Sequence, residues 1–311
     1  MKSRCLIWLN WPARPFRLCA ADLKLVKSLF RGEVKAVRSE RAFLKELPAA
    51  THVLCWEFRR EWFSRAPGLR VLATPGAGRE LLPTEAELPK GVKKYHGGFH
   101  GVIMSETVIA YMLAWCRGLY PAYDWQRKGG AENLWPRVAM GERCFSLVGT
   151  KAVILGYGKI GHAIGAKLRA LGVDFTGIRR RNIAALPEAV AKADWLICVL
   201  PSDTGTDDLV DAKVLRRMKR SAVLINVGRG NAVDEVALAE ALRRRWIAAA
   251  FLDVFKKEPL TASSPLAADL PGLFRFPHGA AFAPDYLARF IRELAARKAF
   301  ILAAPPQKRK P

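Results

Sequence analysis

Residues 151–181 read KAVILGYGKIGHAIGAKLRALGVDFTGIRRR, and this stretch decides the fold. Its first five residues form a short apolar run with β-branched members, the pattern of a buried parallel strand. The run empties into Gly156-Tyr157-Gly158-Lys159-Ile160-Gly161, a G-x-G-x-x-G turn. Apolar residues then recur at helical spacing (Ile160, Ile164, Leu168, Leu171) until Gly172, and a second strand begins at Val173. Strand, glycine turn, helix and strand together are the context a dinucleotide fingerprint requires. Gly156 permits the tight turn, Gly158 lets the backbone approach a pyrophosphate, and Gly161 lets the helix pack close to the strand. The unpaired N–H groups at the helix start then suit the pyrophosphate charge, so these six residues are candidate cofactor contacts.

The end of the second strand carries the next information. An NAD site calls for an acidic residue about 20 positions beyond the glycines, where it binds the ribose 2′-hydroxyl. Here Arg179, Arg180 and Arg181 occupy that place. Guanidiniums cannot accept from a hydroxyl, but they fork onto a 2′-phosphate. The reading favours NADP(H) over NAD(H), with Arg179 and Arg180 as candidate ligands and the choice between them open.

Working outward, a chain of 311 residues can build two domains with substantial cores. Its 51% hydrophobic and 25% charged content is that of a folded globular protein. No apolar run reaches the length of a membrane span, and the start of the chain has no adequate apolar core for a secretory signal, so a cytoplasmic location without membrane contact is expected. The six cysteines (Cys5, Cys19, Cys55, Cys116, Cys144, Cys198) form no C-x-x-C pair, which fits reduced thiols better than disulfides or zinc. The net charge of +23 is scattered in small clusters with no aromatic-interleaved stripe, so a nucleic-acid partner is not the expectation. A basic surface also steers small anions toward a cleft.

Strand and helix signals alternate along the first hundred residues, with strands at 5–9, 34–37, 51–56 and 69–73 and a helix at 23–30. That rhythm argues a small α/β domain with a parallel sheet. It ends in Thr74-Pro75-Gly76-Ala77-Gly78, a turn whose successive N–H groups can nest an anion. Residues 104–117 read as a helix apolar on more than one face, with Ser105 as its cap. After the fingerprint, strands at 195–200, 222–227, 248–252 and 273–276 close in Pro201, Gly228-Arg229-Gly230, Asp253 and Pro277-His278-Gly279. Arg229, Asp253 and His278 thus each follow the carboxyl end of a strand, the edge where doubly wound sheets bind ligands. Glu258 follows in the loop after Asp253. Asp253 alone also fits a turn cap.

Residues 199–242, followed by FLDVFKKEPL and FPHGA, closely resemble the D-isomer-specific 2-hydroxyacid dehydrogenases. Within that family the chain looks most like the bacterial NADPH-dependent glyoxylate/hydroxypyruvate reductases, on Trp56 in LCWEF, Gly76-Ala77-Gly78 and HGGFHGVIMSE. The resemblance implies two Rossmann-like α/β domains with doubly wound parallel sheets. Residues 104–283 would form the cofactor domain, inserted into a substrate domain of residues 1–103 completed by 284–311. It implies that Arg229 binds the substrate carboxylate and keto oxygen, that His278 is the general acid/base, and that Glu258 is its hydrogen-bonded partner. Trp56, Ala77 and Gly78 would contact the substrate. Leu200, Pro201, Thr206, Val227, Gly228, Asp253 and Gly279 would line the cofactor site. The implied reaction is reduction of a small anionic 2-keto acid to the D-2-hydroxy acid, carried out by a homodimer through the region of residues 104–117. Trp56 stands where phosphoglycerate-type members place an arginine, which argues against a phosphorylated substrate. The alternative is a cofactor-sensing, corepressor-like regulator on the same fold, for which the positive charge supplies a motive.

Overall fold

Short apolar runs buried on both faces make parallel strands, and this chain arranges them in two sheets. The computed structural model describes residues 3–12, 14–130, 134–203 and 205–299. Of these, the residues up to His100 and from Phe282 on form one compact unit, and Gly101–Ala281 the other. The boundaries expected from the sequence lay at 103/104 and 283/284.

In the first unit, strands β1 (Arg4–Trp8), β2 (Glu33–Ala36), β3 (His52–Cys55), β4 (Val71–Thr74) and β5 (Lys93–His96) pair in the order β2-β1-β3-β4-β5. Every pairing is parallel. β3 and β4 are wholly buried. β5, KKYH, escaped the sequence reading because it has no apolar run; it is an edge strand held by its backbone against β4. The core gathers Leu6, Phe43, Leu47, Val53, Trp62 and Leu72. Ser39 caps the helix Glu40–Glu46 by accepting from Ala42 N–H. The helix Tyr286–Ala296, from the other end of the chain, is buried along Leu287, Phe290, Ile291 and Leu294 and belongs to this unit.

In the second unit, β6 (Lys151–Leu155), β7 (Asp174–Ile178), β8 (Trp195–Cys198), β9 (Val223–Asn226), β10 (Ala249–Leu252) and β11 (Leu273–Arg275) run in the order β11-β10-β9-β8-β6-β7. All pairings are again parallel. The strand order reverses between β6 and β8, which is where such sheets take their ligands. β8, β9 and β10 are buried throughout. The long helix runs His100–Cys116, so it starts before Ser105. Ser105 is therefore no cap: it is fully buried inside the helix, its hydroxyl bonded to the Val102 carbonyl.

Phe251 of β10 has no exposed surface and stacks between Phe274, 4.5 Å away, and Tyr111, 5.3 Å away. Deleting its ring leaves a cavity that neighbours of this size cannot fill. Phe251→Ala is expected to lower the unfolding free energy by about 3–5 kcal/mol. Chemical denaturation checks this through the shift in midpoint.

Candidate active site

The glycines of the fingerprint divide by what surrounds them. Gly156 has φ +101°, and a Cβ there would lie 2.6 Å from the Val199 carbonyl oxygen, so only glycine fits. A Cβ at Gly161 would lie 2.7 Å from the Gly156 oxygen. Gly158 has nothing within 4 Å of a Cβ position, so bare backbone faces open space. The helix Lys159–Ala170 starts there with no side-chain cap. An uncapped helix start beside an open glycine is what a pyrophosphate requires, so these residues fit a dinucleotide.

The two candidate arginines at the end of β7 differ. Arg179 Nε donates to the Tyr157 carbonyl at 2.7 Å, and its guanidinium lies 5.5 Å from the Tyr157 ring. Its Nη2 donates to His162 Nε2 at 2.6 Å, which puts the His162 proton on Nδ1. Arg180 instead forks onto Asp203, at 3.0 and 3.1 Å, with most of its side chain exposed.

The other candidates stand at the carboxyl ends of β8 to β11. Gly228 packs so closely that a Cβ would come 2.6 Å from Leu200 N, which brings the ends of β8 and β9 side by side. Asn226 holds the Arg229 turn: its Oδ1 accepts from Gly228 N–H and its Nδ2 donates to the Arg229 carbonyl. Arg229 Nη1 donates to the Gly228 carbonyl at 2.9 Å. Thr206 is buried, and its hydroxyl bonds to the carbonyls of Pro201 and Asp203 and receives Asn231 Nδ2. That hydroxyl organises its own loop.

Asp253 is buried, with one carboxylate oxygen accepting from Gly279 N–H and the other from Ala280 N–H, each at 2.8 Å. Its backbone carbonyl also accepts from His278 N–H at 2.9 Å. Asp253 therefore has the geometry of a turn anchor. Burial pushes its carboxyl above the usual range, against the two N–H bonds that pull it down. The turn it anchors is strained: His278 has φ +51°, a left-handed conformation that a residue with a Cβ keeps only under external constraint.

Within that turn, His278 Nδ1 lies 2.7 Å from Glu258 Oε2, while Glu258 Oε1 accepts from Phe255 N–H at 3.0 Å. A carboxylate only accepts, so Nδ1 carries the proton of the neutral imidazole and Nε2 is left as the working nitrogen. The hydrogen bond to Glu258 raises the His278 pKa above 6.5; burial and the Arg229 charge oppose the rise, and the charges of Glu258 and Asp253 add to it. Burial alone would push Glu258 up, but the bonds from His278 and Phe255 and the charges of His278 and Arg229 bring it below its ordinary value. Arg229, Glu258 and His278 are thus electrostatically coupled within one unit.

Trp56, Ala77 and Gly78 lie in the other unit. Thr74 Oγ1 donates to the Trp56 carbonyl at 2.8 Å and accepts Gly76 N–H at 3.3 Å, tying the start of the turn to Trp56. Among the described residues, neither Ala77 nor Gly78 donates its N–H to a backbone carbonyl. Sequence reasoning passed over Asn226, His162 and Asp203. Asn226, a polar residue closing a buried strand, carried a signal; the other two become meaningful only beside the arginines.

The chain's residues 109–280 match the family model described as D-isomer specific 2-hydroxyacid dehydrogenase, NAD binding domain. A glyoxylate/hydroxypyruvate reductase B from Pectobacterium carotovorum is 34% identical over 70% of this chain and 71% of its own length. A glyoxylate reductase from Korarchaeum cryptofilum is 28% identical over 95% of this chain and 91% of its own. Among solved structures, an NADPH-dependent glyoxylate/hydroxypyruvate reductase from Sinorhizobium meliloti, in complex with citrate, superposes with a TM-score of 0.73. It is 25% identical and covers 94% of this chain and 92% of its own.

Replacing Glu258 by Gln removes the charge that favours imidazolium. Titration of the His278 ring followed by NMR is expected to give a midpoint above 6.5 in the native protein and a lower one in Glu258→Gln.

Proposed function

The chain belongs to the D-isomer specific 2-hydroxyacid dehydrogenase family, and from that premise we propose that it uses NADPH to reduce a small 2-keto acid, glyoxylate or hydroxypyruvate first, to the D-2-hydroxy acid. Membership makes it an NAD(P)-dependent oxidoreductase of small keto and hydroxy acids. The observation that carries the assignment of roles is the His278–Glu258 contact with the Arg229 charge beside it.

When bound, the dihydronicotinamide supplies the hydride that the keto carbon receives. His278 gives the carbonyl oxygen a proton from Nε2, so that a hydride and a proton together convert ketone to alcohol. Glu258 fixes the ring and stabilises its charged form. Arg229 pairs with the planar carboxylate and with charge developing on the oxygen. Asp253 acts as a positioning residue, holding the strained turn that presents His278. Ala77 and Gly78 contribute backbone N–H groups to the carboxylate, and Trp56 contributes its ring. In the opposite direction, His278 accepts the hydroxyl proton.

The preference for NADPH is supported by the absence of an acid at the end of β7 and by Arg179. Tyr157 and His162 hold that guanidinium beside the glycine turn, whereas Arg180 already faces Asp203. The reading includes a homodimer, supported by exposed Leu119, Tyr123, Trp135 and Val138 close together in the chain. It also includes a cytoplasmic location, with which six free thiols, four of them buried, are consistent. No single helix among the described residues is long and apolar enough to cross a membrane. The regulator alternative draws no support from the relatives, whose names are those of enzymes.

NADPH oxidation across a panel of 2-keto acids tests the reaction. Turnover is expected on glyoxylate or hydroxypyruvate, with kcat/KM falling as pH rises through the His278 pKa. His278→Gln should lose about 10²–10⁴-fold in kcat. No turnover on any acid would reject the reading. Arg179→Ala should raise KM for NADPH about tenfold or more while changing KM for NADH little. Equal changes for both cofactors would remove Arg179 from 2′-phosphate recognition.

A further inference from the structure

We infer that an aromatic wall in the first unit receives the side chain of the substrate, so that the enzyme takes 2-keto acids carrying an aryl group on C3 as well as the smallest members of the class. The inference rests on the reaction proposed above and names its substrate range.

The Trp56 ring is the centre of the wall. Trp11 lies 5.9 Å from it, Phe16 5.4 Å and Tyr286 6.1 Å, measured between ring centroids. Phe16 is also 5.0 Å from Phe282 and 4.7 Å from Tyr286. Tyr286 is the foundation: it is 3% exposed, its hydroxyl lies 2.8 Å from His100 Nε2, and it reaches the Pro75 carbonyl. Trp11 and Phe282 are 50% and 43% exposed. Clustered rings kept open to water mark a surface that contacts something apolar.

Two connections tie the wall to the chemistry. Through the Thr74 hydroxyl, Trp56 is joined to the turn whose Ala77 and Gly78 N–H groups suit a carboxylate. Phe282 follows His278 by only four residues, a tether of at most ~14 Å. A 2-keto acid held by its carboxylate at that turn projects its C3 substituent a few ångströms away. Glyoxylate has no such substituent and hydroxypyruvate only a hydroxymethyl group, so neither uses a surface of this extent. A phenyl ring on C3 matches it, because aromatic pairs favour offset or edge-on contacts at about 4.5–7 Å. The reaction is unchanged: hydride to C2, proton from His278 to the oxygen, NADPH to NADP⁺.

The test compares kcat/KM for glyoxylate and phenylpyruvate with NADPH, in the native enzyme and in Trp11→Ala and Phe282→Ala. Both positions are half-exposed, and a thermal unfolding midpoint taken for each variant confirms folding. The native enzyme is expected to reduce phenylpyruvate at least as efficiently as glyoxylate. Each variant should lose about tenfold in kcat/KM for phenylpyruvate, through KM, and several-fold less for glyoxylate. The inference is overturned if the native enzyme reduces glyoxylate but is a hundredfold poorer on phenylpyruvate, or if the variants weaken both acids alike. Failure on every keto acid would overturn the underlying reaction, and this inference with it.

Discussion

A carboxylate 2.7 Å from a ring nitrogen sets the character of this protein. Because Glu258 can only accept, His278 keeps a proton on Nδ1 and is left with Nε2 as its one free proton-exchanging atom. The same contact raises the imidazole pKa, which makes the ring a proton donor near neutral pH. Neither residue could be placed without the chain around it. Asp253 gives both carboxylate oxygens to the turn that carries His278, and Phe255 N–H holds the other oxygen of Glu258. The left-handed backbone at His278 is the strain that this network holds in place.

The sheet explains why such distant residues can meet. In a parallel sheet every strand delivers its following loop to the same edge, so Arg229, Asp253 and His278, spread over fifty positions, are co-located by topology alone. The fingerprint glycines follow β6, beside the point where the strand order reverses. Two of them are glycine because the protein's own backbone presses on them, and Gly158 because nothing does. The cofactor's place is thus marked by an empty approach at one glycine between two crowded ones.

Much of this was legible in the sequence, and the reasons are physical. Buried strands of a parallel sheet write themselves as apolar runs, so β3, β4, β6, β8, β9 and β10 could be read directly. β5 could not, because an edge strand needs only backbone partners and tolerates KKYH. The start of the long helix was misplaced for a related reason. A serine looks like a cap in sequence, but burial of its side chain and a hydroxyl bond to the preceding turn serve equally well inside a helix. Arg229, Glu258 and His278 stood out because polar residues closing apolar strands are conspicuous. The division of labour between Arg179 and Arg180 was invisible, since it depends on His162 and Asp203, each brought in by folding. Asp253 admitted two readings in sequence, and its two N–H bonds make it the anchor of a turn.

The account stands or falls on whether Arg229, Glu258 and His278 serve one small anion. Oxamate, an amide isostere of a 2-keto acid that accepts no hydride, isolates that question from turnover. Its binding to the enzyme loaded with NADPH can be followed by calorimetry in buffers of different ionisation enthalpy, at a pH above the His278 midpoint. The account predicts that binding takes up about one proton, that Glu258→Gln lowers this uptake, and that Arg229→Gln abolishes binding. Oxamate that binds without proton uptake, or binds as well without Arg229, would contradict it.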